Sequence, residues 1–240
     1  MSRIAYILLC HKHVDGIVAK AESLTSQGDY LSIHFDANAP KAEYDRLRSA
    51  LSENESVVLA KRKRCGWGEW SLVDATLSAL RKADEAFPSA SHFYLISCDC
   101  MPIKTAEHIH GYLDDHDADF IDSFDLFASD RIKTSFREER PIYRHWFNES
   151  TQARRFYASF RIQQMLGLTR TIPSDLNVMI GSQWWCLRRQ TVEAAVEFIK
   201  SRPDVVRFFR NTWVPDETFF QTLVCHQVPS AEITSRTPTF

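Results

Sequence analysis

The stretch RIAYILLC, residues 3–10, decides the fold. After Arg3 it is apolar without a break. An unbroken apolar strand is one buried on both faces, the habit of parallel sheets sandwiched by helices. Parallel neighbours cannot be joined by a tight turn, so helices must separate the strands. The chain downstream meets that demand. Residues 15–27 read as a helix, DYLSIHFD (29–36) as a second strand, 40–52 as a helix and SVVLA (56–60) as a third strand. A long amphipathic helix spans 69–86, HFYLIS (92–97) is a fourth strand, 105–116 a helix and ADFID (118–122) a further strand. This order predicts an α/β domain with a mostly parallel sheet flanked by helices.

Residues 123–176 depart from the alternation. They are charged and aromatic, with a helix expected near 150–166, and read as an insertion over the sheet edge. NVMIGSQWWCLRR (177–189) is strand-like, helices are expected near 190–201 and 215–227, and AEIT (231–234) is strand-like. With no repeat, low-complexity tract or linker, 1–240 reads as one domain.

Composition narrows the function. Among 240 residues, 44 % are hydrophobic, enough for a full core, and the formal net charge of −2 argues against a general nucleic-acid binder. Local basic runs, Lys61 to Arg64 and Arg207 to Arg210, suit a solvated face or an anionic ligand. No apolar run approaches a membrane span, and the start lacks a signal peptide, so reduced cysteines and a cytoplasmic location are expected. Zinc on Cys98, Cys100 and a histidine is conceivable if Cys-x-Cys lies on a strand, but no second cysteine pair supports it.

In open α/β sheets ligands bind beyond the carboxyl ends of the strands. Those ends carry Cys10-His11-Lys12-His13, His34-Phe35-Asp36 and Ser97-Cys98-Asp99-Cys100. No Gly-x-Gly-x-x-Gly, P-loop or Gly-x-Ser-x-Gly elbow accompanies them, which speaks against a dinucleotide-binding dehydrogenase, a P-loop NTPase and the usual α/β-hydrolase. Asp36 is placed to accept hydrogen bonds from a ribose or base, and a turn aspartate before Ala37-Asn38-Ala39-Pro40 fits equally. His11 and Asp99, after strands one and four, fall at the same edge and are candidate ligand contacts; His11 and His13 would point to one side if extended, which could suggest a metal, but the reading as ordinary polar histidines is favoured. Gly66 and Gly68 would let backbone approach a ligand, and Trp67 offers a flat face for a sugar ring or else joins Trp70 in the core. One of Trp184 and Trp185 should be core, since neighbours on a strand face opposite ways.

WVPDETFF (213–220) sets Asp216 and Glu217 after Pro215 and before an apolar run. The structural reading is a helix start: proline in the first turn, acids at the positive end of the dipole, and Phe219, Phe220, Leu223 and Val224 on a core face. The functional reading is a carboxylate held at a helix mouth.

Four stretches taken in order, YLSIHFDANAP, WGEWSLVDATLSAL, FYLISCDCMPIKT and GSQWWCLRR with VPDETFFQTLV, resemble the core-2/I-branching β-1,6-N-acetylglucosaminyltransferases and peptide O-xylosyltransferases. The resemblance covers nearly the whole chain. It implies a GT-A-like fold for nucleotide-diphospho-sugars, a UDP-sugar donor, a glycan or other hydroxyl acceptor, inversion at the anomeric carbon, and no metal or other cofactor. No Asp-x-Asp follows strand four, in keeping with that. Carried over by motif, Glu217 is the catalytic base, Asp36 contacts the uridine, Trp67 lies near the donor sugar, and Ser182, Gln183 and Trp184 line the acceptor side. Trp67 matches the xylosyltransferase version of its motif and Trp70 before Ser71 the branching version, so GlcNAc and xylose both stay open. Family members place diphosphate-binding Arg and Lys well beyond the Pro-Asp-Glu helix, whereas this sequence stops at Phe240. The expectation is a domain lacking that segment, either a fragment or one in which other cations substitute. The alternative is a non-catalytic sugar- or nucleotide-binding module of the same fold.

Overall fold

The computed structural model describes residues 2–129 and 138–239. The expected alternation is present: β1 (Ile4–Cys10), α1 (Val14–Thr25), β2 (Tyr30–Phe35), α2 (Lys41–Ala50), β3 (Val57–Leu59), α3 (Trp70–Ala86), β4 (His92–Ser97), α4 (Ala106–Asp115) and β5 (Asp119–Ile121). After it come β6 (Phe124–Asp125), α5 (Glu139–Ile142), α6 (Glu149–Met165), β7 (Met179–Ile180), β8 (Trp185–Arg188), α7 (Arg189–Ser201) and α8 (Pro203–Phe209). A 3₁₀ turn at Pro215–Glu217, α9 (Phe219–Gln227), a second 3₁₀ turn at Ser230–Glu232 and β9 (Ile233–Thr234) complete the chain.

Seven strands form one sheet in the order β3-β2-β1-β4-β8-β5-β9. β1 pairs in parallel with β2 and β4, β2 with β3, and β5 with β9. β8 runs antiparallel to both β4 and β5. All strands of this sheet but β8 therefore point one way, so the fold is α/β with a mostly parallel sheet flanked by helices. β8 enters from the carboxyl end of its neighbours, which brings the segment before it to the edge where ligands bind in such sheets.

The pleat of β1 explains its unbroken apolarity. Ile4, Tyr6, Leu8 and Cys10 join one core cluster, with Ile17 and Leu24 of α1, Leu47 of α2 and Leu113 of α4. Ala5 and Ile7 join the other, with Val73, Leu77 and Leu80 of α3, Val192 of α7 and Phe219, Phe220 and Leu223 of α9. Each side chain of leucine or phenylalanine size buried in these layers contributes roughly 1.5–3 kcal/mol. Trp185 of β8 is wholly buried, and Trp184, in the turn before it, is partly buried against the same core cluster.

Three expectations are corrected. Residues 177–189 form two short strands, not one, because the chain turns at Gly181–Trp184 and β7 pairs with β6 outside the main sheet. The helix expected from 215 begins at Phe219; Pro215, Asp216 and Glu217 form a separate 3₁₀ turn. Pro203–Phe209 is a helix where none was expected, opened by Pro203 in its first turn with Asp204 beside it. The insertion read at 123–176 holds β6, α5 and α6; its residues 130–137 lie outside the described ones.

Gly181 is required by contact. A Cβ there would stand 1.8 Å from the backbone oxygen of Asp122. Gly181→Ala is predicted to destabilise the domain by about 1–3 kcal/mol, the usual cost of forcing extra volume into a packed position. Urea unfolding checks this, and an unchanged midpoint would mean the two backbones do not touch.

Candidate active site

The ends of β1 and β2 are tied together. The Asp36 N–H donates to the Cys10 carbonyl at 2.9 Å, so His11 follows directly beside Asp36. Asp36 Oδ1 accepts from the backbone N–H groups of Asn38 (2.7 Å) and Cys65 (3.3 Å). Arg62 braces this corner, donating to the carbonyls of Phe35 (3.2 Å), Asp36 (2.7 Å) and Ala39 (2.7 Å) while its guanidinium lies over the Tyr44 ring. Below it, buried His34 accepts from the Lys63 N–H through Nε2 at 2.9 Å, a role that needs the neutral ring. Burial pulls its pKa down to about 4 accordingly.

The end of β4 is shaped by a buried lysine. Lys20 of α1 donates to the carbonyls of Ser97 (3.2 Å), Cys98 (2.6 Å) and Cys100. These carbonyls curl the chain into a turn on which Asp99 stands exposed, 4.0 Å from Lys12. Cys98 and Cys100 therefore sit in a turn and not on a strand, and the alternation argument for a shared face does not apply to them. Among the described residues no three His, Cys, Asp or Glu side chains gather as a metal site.

Glu217 is half-exposed. Its Oε2 accepts from Arg140 Nη1 of α5 at 2.7 Å, and Arg140 is itself buried. The Arg140 guanidinium lies 4.9 Å from the centroid of Trp213. The Glu217 carbonyl accepts from the Gly181 N–H at 3.0 Å, which joins the carboxylate turn to the segment before β8. Asp216, next to it, caps no helix, and its Oδ1 is buried without a hydrogen-bond partner among the described residues. Burial pushes its carboxyl up to about 7, and the neighbouring Glu217 charge adds to that. At neutral pH much of Asp216 is thus uncharged, and Glu217 is spared a full like charge beside it.

A cavity of about 290 Å³ opens nearby. Trp67, Trp146 and Trp213 form its aromatic walls, with Glu69, Asn148 and Arg210 among its polar lining. Trp67 is 61 % exposed and meets Trp213 edge-on at 6.4 Å. Its turn is fastened by Asn148 Nδ2, which donates to the Trp67 carbonyl (3.0 Å) and to Glu69 Oε1 (2.7 Å). Trp70, by contrast, stacks edge-on with Phe219 against the core.

The expected residues thus fall into groups. His11, Asp36 and Asp99 share the carboxyl edge of β1, β2 and β4, and Asp36 reaches the Trp67 turn through Cys65. Glu217 meets Gly181 and, through Arg140 and Trp213, the wall of the Trp67 cavity, although it does not line that cavity itself. Ser182 is spent on the fold: its N–H donates to Asp122, its hydroxyl accepts from the Trp184 N–H, and its carbonyl accepts from Gln221. Gln183 makes no hydrogen bond among the described residues. Arg140 and Lys20 went unforeseen. Each is one basic residue among several in a polar stretch, and only the tertiary partner distinguishes it.

A model of the Core-2/I-Branching enzyme family matches residues 4–240. A search of curated proteins finds no match. No helix among the described residues is long and apolar enough to cross a membrane.

The titrating groups predict a pH dependence. His34 and His145, both held near 4 by burial, favour the folded state above their ordinary value of 6.5, and that stability is lost as pH falls toward 4. His92 shifts the same way. Asp216 opposes them: its raised pKa favours folding below its ordinary 3.8, and the gain is lost as pH rises through about 7. Between pH 4.5 and 6 the two histidines outweigh Asp216, so the unfolded chain should bind somewhat more protons and stability should fall with acidification, by roughly 1 kcal/mol per pH unit. Asp216→Asn removes the opposing share, and urea unfolding across that range should show a slope steeper by about one proton. An equal slope in the variant would show that Asp216 is not the raised acid.

Proposed function

The chain belongs to the Core-2/I-Branching enzyme family and is a glycosyltransferase, and from that premise we propose that it moves GlcNAc or xylose from a UDP-sugar to an acceptor hydroxyl, with inversion and without a metal, Glu217 acting as the general base. The observation that carries the reading is the setting of Glu217. It is a half-exposed carboxylate at the carboxyl edge of the sheet, oriented by a buried arginine and hydrogen-bonded through its backbone to Gly181.

The chemistry asks for one base. An acceptor hydroxyl is a weak nucleophile, so a carboxylate takes its proton while the oxygen attacks the anomeric carbon. The new bond forms from acceptor oxygen to that carbon as its bond to the diphosphate oxygen breaks, and UDP departs with the electron pair. A single displacement inverts the centre and needs no second carboxylate as nucleophile. Arg140 would hold Glu217 in a fixed geometry before the acceptor arrives, which cuts the reorganisation the reaction must otherwise supply. Asp36 would receive the uridine, flanked by His11 and Asp99, with Trp67 toward the donor sugar. Gln183 and Trp184, on the turn fixed by Ser182, would face the acceptor. Charge on the departing diphosphate would be met by cations; Lys12 and Arg64 are exposed candidates among the described residues.

Two measurements test this. UDP release from UDP-GlcNAc and UDP-xylose should persist in a chelator, and a loss that manganese restores would refute metal independence. Glu217→Gln should keep the fold and UDP binding but lower turnover by about 10² to 10⁴, the usual share of a general base. A variant as fast as the parent would remove Glu217 from the chemistry, and absence of UDP release from either donor would favour a non-catalytic binding module.

A further inference from the structure

We propose that the cavity between Trp67, Trp146 and Trp213 is a saccharide subsite, one that grips a pyranose ring of the acceptor at a distance from the hydroxyl that reacts. The inference rests on the transferase reading and names a second contact for the same substrate.

Four observations carry it. Trp67 and Trp146 are 61 % and 56 % exposed, yet both line one cavity. Large aromatic faces left open to water in a defined concavity are a feature of ligand sites. The cavity is small: at about 290 Å³ it lies at the lower end of the roughly 300–1,000 Å³ typical of small-molecule pockets. It has room for a sugar ring.

The rim is polar and already ordered. Asn148 Oδ1 accepts from the Thr151 N–H at the start of α6 while its Nδ2 holds both Trp67 and Glu69. The Glu69 carboxylate, so fixed, can accept from sugar hydroxyls, and exposed Arg210 can donate to them. The buried indole N–H of Trp70, another lining residue, has no acceptor among the described residues.

The cavity is also connected to the chemistry. Trp213 in its wall is the ring over which Arg140 lies, and Arg140 holds Glu217. A ring seated against Trp213 would thus belong to a molecule whose neighbouring residue can reach the base. Asp36, His11 and Asp99 lie outside the cavity lining, so of the proposed donor residues only Trp67 belongs to this subsite as well.

The test reads binding without turnover. Methyl β-glycosides of galactose, N-acetylgalactosamine, xylose and glucuronic acid are titrated against the whole protein by saturation-transfer NMR and tryptophan fluorescence, with and without UDP. At least one should bind with UDP present. Trp146→Ala, a change at an exposed position, should weaken that glycoside at least tenfold while leaving UDP affinity and thermal midpoint unchanged, and Trp146→Phe should restore much of the binding. No glycoside binding to the parent, or equal binding by Trp146→Ala, would overturn the proposal even if transferase activity is intact. Weaker UDP binding by Trp146→Ala would overturn it too, by assigning the cavity to the donor.

Discussion

The buried pair Arg188–Asp119 is the constraint on which the placement of the site depends. Asp119 is fully buried at the start of β5 and Arg188, nearly so, ends β8. Asp119 Oδ1 accepts from the Arg188 backbone N–H at 2.7 Å, and its Oδ2 accepts from the guanidinium (2.9 Å) and from the Thr191 hydroxyl (2.7 Å). The same guanidinium reaches Asp117 and Glu232. One network thus joins β5, β8, α7 and the turn before β9. A buried pair of this kind adds little net stability over an apolar substitute, but removing one partner costs about 3–5 kcal/mol. Its consequence is register: β8 is fixed with Cys186 opposite Phe120 and Trp185 opposite Ile121.

From that register the acceptor side follows. A slip of one residue would turn Trp185 out of the core. With the register held, the residues before β8 arrive at the carboxyl edge and Gly181 can pass against the Asp122 backbone, where no side chain fits. Only then can the Gly181 N–H meet the Glu217 carbonyl. An ion pair at the far end of β8 therefore sets the position of the proposed base, through a strand too short to bend.

Much of this could be read from the chain. The strands and helices from β1 to β5 announce themselves because each is long enough to show its period, and because β1 and β4 are apolar on both faces. Asp36, Asp99 and His11 were legible as strand-end residues for the same reason. What could not be read is set by distant partners. The direction of β8 follows from Arg188 meeting Asp119, 69 positions away. The early end of the PDE turn follows from backbone geometry at Val214, which no periodicity encodes. Arg140 and Asn148 belong to a charged insertion whose many polar residues look alike until one of them faces Glu217 or Trp67.

Val214 shows how the two halves of the site are set together. Its backbone lies in the left-handed region, φ 50° and ψ 60°. That is unfavourable for a β-branched residue, and the following Pro215 restricts it further. Such strain costs on the order of 1–3 kcal/mol and persists only where surroundings over-determine it. Here Val214 is buried, and its N–H donates to the Gly68 carbonyl at 3.1 Å. Gly68 is left-handed as well, at φ 67°, a conformation open to glycine at little cost. Two reversed turns are thus hydrogen-bonded to each other. One carries Trp67 and Glu69; the other carries Trp213, Asp216 and Glu217. The Val214 turn swings the chain so that the Glu217 carbonyl meets Gly181 while its carboxylate meets Arg140. A helix running straight from Pro215 would have spent the Glu217 carbonyl on its own ladder. The strain at Val214 is therefore what frees that carbonyl, and the same hydrogen bond to Gly68 holds the aromatic wall and the carboxylate at a fixed separation.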